Sequence, residues 1–89
     1  MKSWPAPVVR LFLGELNPAE TLAAADDDNP DRKQEHVCEA NFYTGELALT
    51  EGEKREAIRL FQLAVSECSH NFIEWEAAIS ELKGLGIAP

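Results

Sequence analysis

The side chains of this sequence that could do chemistry stand in two short clusters, HVC at positions 36–38 and CSH at 68–70. Histidine and cysteine are zinc ligands, so the four side chains raise the question of a tetrahedral site. Residues two apart on a helix point in nearly opposite directions, however, so the four cannot converge on one ion unless the helices unwind. The same objection weakens a Cys–His nucleophile, which also lacks an evident orienting residue. We therefore expect no metal, no cofactor and no catalytic residue.

Cys38 and Cys68 could instead react with each other. If a helical hairpin turns at Glu53, the two cysteines lie fifteen residues before and fifteen residues after the turn. Their side chains then face each other across the open end, which is the geometry that a disulfide needs. A disulfide would stabilise the fold by about 3–4 kcal/mol and predict a periplasmic or other extracytoplasmic location. The alternative is a pair of reduced, half-buried thiols in a cytoplasmic protein.

Length and charge restrict the classes of partner. The 89 residues predict one small domain over 1–89, and eight Lys/Arg against sixteen Asp/Glu give a formal charge of −8. This charge argues against nucleic acid or an anionic membrane surface as the main partner. No apolar run is long enough to cross a bilayer, so we expect no membrane insertion by this segment. The acidic DDDNPD stretch at 26–31 lacks the glycine and the alternating ligands of a calcium loop, and we interpret it as a solvated connection.

Hydrophobic periodicity and capping residues predict five short helices and almost no strand. A first helix ends at Gly14. A cap of Asn17 with Glu20 opens a second helix, and Asn71 with Glu74 has the same pattern before the last one. The predicted third and fourth helices cover 31–51 and 54–69. The fold class is therefore all-α, with antiparallel helical hairpins stacked as in a fragment of an α-solenoid.

A repeated phrase supports that architecture. GELNPAETL at 14–22 and GEKREAIRL at 52–60 share the pattern G-E-x-x-x-A-x-x-L, thirty-eight residues apart. Recurrence of a two-helix unit at thirty to forty residues is typical of solenoids. Within the second unit, Gly45 and Phe61 lie eight residues before and after the turn centre, so a small residue should face a large one.

At these positions the chain resembles the tetratricopeptide repeat (TPR) family. The matching residues are Gly45, Gly52, Ala57, Phe61 and Ala64, with Trp75 where the next unit often has tryptophan. The resemblance implies a main repeat at 31–69, a degenerate repeat at 4–26 and a closing helix at 71–85. We expect Trp75 to lie in the core. The opening of the chain is also similar to bacterial TPR lipoproteins of the NlpI kind.

TPR proteins usually act as adaptors, and the resemblance implies a non-catalytic module that holds a peptide or a partner helix on its first helices. The residues implied are Glu39, Phe42, Glu46 and Thr50 on the third helix, with Ile73, Glu76 and Ser80 on the fifth. Their acids would favour a basic ligand. An ordinary solvated face explains the same stripe equally well. The alternative function is a structural domain that forms a homodimer through its exposed stacking face.

Overall fold

The computed structural model describes residues 5–87, and this part of the chain consists of helices and turns. The five helices are α1 (Ala6–Phe12), α2 (Pro18–Ala23), α3 (Pro30–Thr50), α4 (Lys54–Glu67) and α5 (Ile73–Gly84). The prediction of an all-α chain of about five packed helices is confirmed. Trp4, the first residue of the predicted 4–26 repeat, lies outside the described residues. None of the helices is both long and apolar enough to cross a membrane within 5–87.

Side-chain caps begin two of the helices. Asn17 opens α2 with the predicted capping box: its Oδ1 accepts from the Glu20 amide at 2.7 Å, and Glu20 Oε1 accepts from the Asn17 amide at 2.9 Å. Asn29 caps α3 by accepting from the Asp31 amide at 2.9 Å. These bonds satisfy amide groups that have no partner inside the helix.

The cap predicted for α5 is wrong. The structure begins that helix at Ile73, with Phe72 as a cap residue that makes no side-chain bond to the helix. The Asn71 side chain accepts instead from the Ser69 hydroxyl. Glu74, the other half of the predicted cap, hydrogen-bonds across to α3.

The two helices of the α3–α4 hairpin approach each other closely. Gly52 takes a left-handed conformation (φ +80°) at the turn, and the Glu53 amide donates to the Ala48 carbonyl at 2.8 Å. Gly45 then meets Phe61 so closely that an added Cβ would lie 2.8 Å from Phe61 Cε1. The predicted pairing of a small residue with a large one is confirmed.

Each helix packs against the next one along the chain, and α3 also contacts α1 and α5. Within the described residues, α2 and α4 do not contact each other. The buried apolar cluster comes from α3, α4 and α5, with Trp75 half-buried against it; its members are Cys38, Phe42, Ala48, Ala57, Leu60, Phe61, Ala64, Cys68, Ala78 and Leu82. The central helix α3 therefore contacts all four of the other helices.

Candidate functional site

The open end of the α3–α4 hairpin carries a disulfide between Cys38 and Cys68. The two Cα atoms are 4.8 Å apart, and both residues are buried. A turn further out, Gln34 Nε2 donates to the Glu67 carbonyl at 3.0 Å, which joins the same two helices. Of the two interpretations that the spacing allows, the structure records the bonded one.

The histidines beside the cysteines do not assemble a metal site. The His70 ring stacks on Trp75, with ring centroids 4.2 Å apart. Across residues 5–87, no three His, Cys, Asp or Glu side chains are grouped so that they could hold a metal ion. The cysteines at this end of the hairpin form a disulfide and do not bind a metal ion with the neighbouring histidines.

A second constellation surrounds Tyr43 on α3. Its hydroxyl donates to Glu74 Oε2 on α5 at 3.3 Å, and its ring meets Phe12 of α1 edge-to-face with centroids 6.5 Å apart. One side chain thus links α3 to both α1 and α5. We call this surface the Tyr43 face, and its members are Phe12, Glu39, Tyr43, Glu46, Glu74 and Glu81.

The Tyr43 face is strongly acidic. Burial of the phenol raises the pKa of Tyr43, and the charge and the hydrogen bond of Glu74 raise it further. Glu39 and Glu46 add smaller effects of the same sign. A cation placed here would meet several carboxylates and two aromatic rings, a combination that attracts Lys or Arg.

Glu46 and Glu81 meet where α3 packs against α5. Burial raises the pKa of Glu46 to about 7, with further contributions from its hydrogen bond to Glu81 and from the Glu81 charge. Two carboxyl groups in contact favour a shared proton because two adjacent negative charges repel. Near neutral pH, the pair therefore gains or loses a proton.

The structure corrects one residue of the predicted stripe. Phe42 is only 7% exposed and packs against Phe61, with ring centroids 5.8 Å apart. Its placement on an exposed binding surface is wrong because that side of α3 faces α4. Tyr43, one residue later, is the half-buried aromatic residue beside Glu39 and Glu46. Residues 39, 43 and 46 lie at helical spacings of four and three, and residues 39, 42 and 46 lie at spacings of three and four. Spacing alone therefore allows either Phe42 or Tyr43 on this face and cannot decide between them.

The remaining predicted residues fall into two groups. Glu39 and Glu46 are half-buried beside Tyr43, whereas Thr50 is exposed and donates to the Glu46 carbonyl at 2.7 Å. On α5 the predicted residues are exposed, and they are Ile73, Glu76 and Ser80. The α5 residues that hydrogen-bond to α3 are Glu74 and Glu81, which sequence reasoning missed together with Phe12 and Tyr43.

Comparison with protein-family models gives no match, and no solved structure matches the chain significantly. The likeness to TPR proteins accordingly rests on residues of this chain, chiefly those of the α3–α4 hairpin.

Proposed function

We propose that this chain is a non-catalytic protein-interaction module, built as a TPR-like stack of helical hairpins. The helix contacts support this architecture. Sequential helices pack together, the odd-numbered helices contact one another through α1–α3 and α3–α5, and the even-numbered α2 and α4 do not touch within 5–87. In a stack of hairpins, the first helices of successive units form one continuous surface, which corresponds here to α1, α3 and α5.

The module binds a Lys- or Arg-rich segment of another protein on the Tyr43 face. The observation that carries this proposal is the convergence, on the odd-numbered helices, of two aromatic rings with glutamates from two helices. Phe12 is exposed, Tyr43 is half-buried, and Glu74 accepts a hydrogen bond from Tyr43. Carboxylates beside aromatic rings suit a cation whose apolar stem lies on the rings. The chain charge of −8 would also accelerate the approach of a basic partner.

The disulfide favours an extracytoplasmic location for this module. A buried cystine that joins two helices persists in an oxidising compartment, whereas thiols in the cytoplasm are kept reduced. The protein should therefore be tested under oxidising conditions, in which the hairpin is closed.

Binding is tested by fluorescence polarisation with a labelled peptide of alternating lysine and leucine, against a peptide in which glutamate replaces lysine. We expect the lysine peptide alone to bind and the Glu74→Lys variant to weaken binding at least tenfold. Asp28→Lys changes the net charge equally in an exposed loop away from the Tyr43 face, so it should have a small effect. If both variants lost the same amount of affinity for the lysine peptide, the binding would be general charge attraction, and the proposed role of the Tyr43 face would be refuted.

An exposed apolar surface on α1 favours the second candidate function, a domain that self-associates. Val9 on this helix and Leu13, the residue that caps its C-terminal end, lie one turn apart, and both are more than half exposed. A second copy could cover them. Light scattering over a range of concentrations separates the two functions: a dimer dispersed by Leu13→Glu would favour self-association, and a monomer throughout would favour the adaptor.

A further inference from the structure

A groove of about 440 Å³ lies over α3, between α2 and α4. It exists because α2 has only six residues, a wall about 9 Å long, and does not reach α4. Leu22 forms one wall, and Leu60 with Leu63 forms the other. Thr44, on the groove floor, follows Tyr43 and points about 100° away from it around α3. The groove is therefore a surface separate from the Tyr43 face.

The floor of the groove carries small side chains, which allow another helix to approach α3 closely. Ala40, Thr44 and Ala48 line it at spacings of four, so their small side chains form a row about 12 Å long on one side of α3. Leucines rise on both sides of this row. A row of small residues between larger ridges is the surface into which a helix packs its own ridge of side chains.

Asn41 presents an unpaired polar group to the groove. The residue lines the groove and is only 7% exposed, yet within residues 5–87 its side-chain amide has no hydrogen-bond partner. Thr44, 5% exposed, has an unpaired hydroxyl in the same part of the chain. Neither polar group is among the fully enclosed unpaired side-chain atoms of residues 5–87, so both are open to the groove, where a ligand can offer them a hydrogen bond. A ligand with an amide side chain could donate to the Asn41 Oδ1 and accept from the Asn41 Nδ2.

The charge at the rim selects among occupants. Glu51, Glu53 and Glu56 line the rim, where Arg59 is the single basic residue and is paired with Glu56. A second copy of this chain would bring a further charge of −8 to an acidic rim. A basic partner would be attracted to it.

We propose that this groove binds an amphipathic helix of a partner protein. The apolar face of that helix packs on Leu22, Leu60 and the small-residue floor. An amide side chain on that face pairs with Asn41, and flanking Lys or Arg residues meet the acidic rim. This site is independent of the Tyr43 face.

The probe is a fluorescein-labelled model helix of leucine and lysine, with one glutamine in the centre of its leucine stripe. We expect Leu22→Glu to raise its Kd at least tenfold and Leu13→Glu to change it less than twofold. The two leucines make a matched pair, because they are 45% and 67% exposed and only Leu22 lines the groove. Circular dichroism verifies that both variants keep their helix content. Equal effects of the two substitutions would overturn the proposal.

Asn41 provides the second readout. The glutamine probe should bind wild type at least threefold more tightly than a probe with leucine at that position, and Asn41→Ala should abolish the difference. A glutamine that gives no advantage would refute the pairing with Asn41. Light scattering of the free protein tests the other occupant: a dimer that Leu22→Glu disperses would place a second copy in the groove and overturn the proposal.

Discussion

Gly45 and Phe61 approach so closely that a Cβ atom on residue 45 would lie 2.8 Å from Phe61 Cε1 and 3.3 Å from Leu60 Cβ. Real Cβ atoms do not tolerate the first of these distances, and Phe61 is fully buried and cannot move aside. The absence of a side chain at position 45 thus sets the separation between α3 and α4. The disulfide and the packing of the hairpin core both depend on that separation.

Gly45→Ala should lower the free energy of unfolding by about 1–3 kcal/mol, the usual cost of overpacking a dense core. Urea denaturation followed by circular dichroism measures this change. Gly84→Ala is the matched control, because that glycine lies in the last turn of α5 and an added Cβ would have nothing within 4 Å. Helix propensity predicts that Gly84→Ala is neutral or stabilising by up to about 1 kcal/mol. If the two variants had the same free energy of unfolding, the close contact between residue 45 and Phe61 would not limit the size of the side chain at position 45.

Replacing both cysteines, Cys38→Ala with Cys68→Ala, should destabilise the fold by about 3–4 kcal/mol, because the unfolded chain regains the freedom of a thirty-residue loop. Reductant should destabilise wild type to a similar extent and leave the double variant unchanged. Intact mass after alkylation under denaturing conditions reports the bond directly. Two alkylated cysteines in unreduced protein would contradict the disulfide.

The Glu46–Glu81 pair predicts a specific pH dependence of stability. The unfolded pKa of a glutamate is 4.5 and the folded pKa of Glu46 is about 7, so the folded state holds a proton that the unfolded state has released between these values. This contribution to stability is complete below pH 4.5 and is lost as the pH rises through about 7. After allowance for solvent screening of this half-buried group, we expect a loss on the order of 1 kcal/mol.

Glu46→Gln should remove that contribution, since a neutral amide replaces the titrating carboxyl. The difference in unfolding free energy between the variant and wild type should therefore grow in favour of the variant from pH 4.5 to pH 8. Glu35→Gln, at an exposed position of the same helix, controls for the change in net charge. Parallel pH profiles for Glu46→Gln and wild type would disprove the shared proton.

Tyr43 is the only tyrosine in the chain, so its ionisation can be followed by ultraviolet absorbance without a label. We expect a midpoint above 10.0 in the folded protein, because burial and the adjacent glutamates disfavour the phenolate. Glu74→Gln should lower the midpoint without restoring it fully, since burial remains. Glu76→Gln, an exposed neighbour on α5, should leave it unchanged. An identical shift in both variants would show that Glu74 does not act through its contact with Tyr43.

Much of the α3–α4 hairpin was predictable because its determinants are local. A glycine at the turn and residues at equal distances from it decide which side chains of two adjacent helices meet, so the contact of Gly45 with Phe61 follows from spacing. The convergence of the two cysteines follows from the same register. The cap at Asn17 was equally predictable, because both of its bonds lie within four residues.

The Tyr43 face could not be predicted because it depends on helices distant in the sequence. Phe42 and Tyr43 are adjacent, and either one continues a helical stripe from Glu39. Only the docking of α5 gives Tyr43 its partner Glu74, thirty-one residues away. Because Glu74 accepts this hydrogen bond, it does not form the N-terminal cap of α5 that the local sequence pattern predicts.

The groove exists because α2 and α4 do not contact each other within the described residues, and no local sequence pattern predicts the absence of a contact between two helices. The pattern of caps and turns predicts that α2 and α4 both adjoin α3. It does not say that α2 stops at Ala23 and leaves Asn41 beside an open groove. The sequence by itself determined the helices, the hairpin register and the meeting of the cysteines, since short-range spacing controls them. The tertiary structure decided which faces of α3 are covered, because burial is settled by the packing of all five helices together.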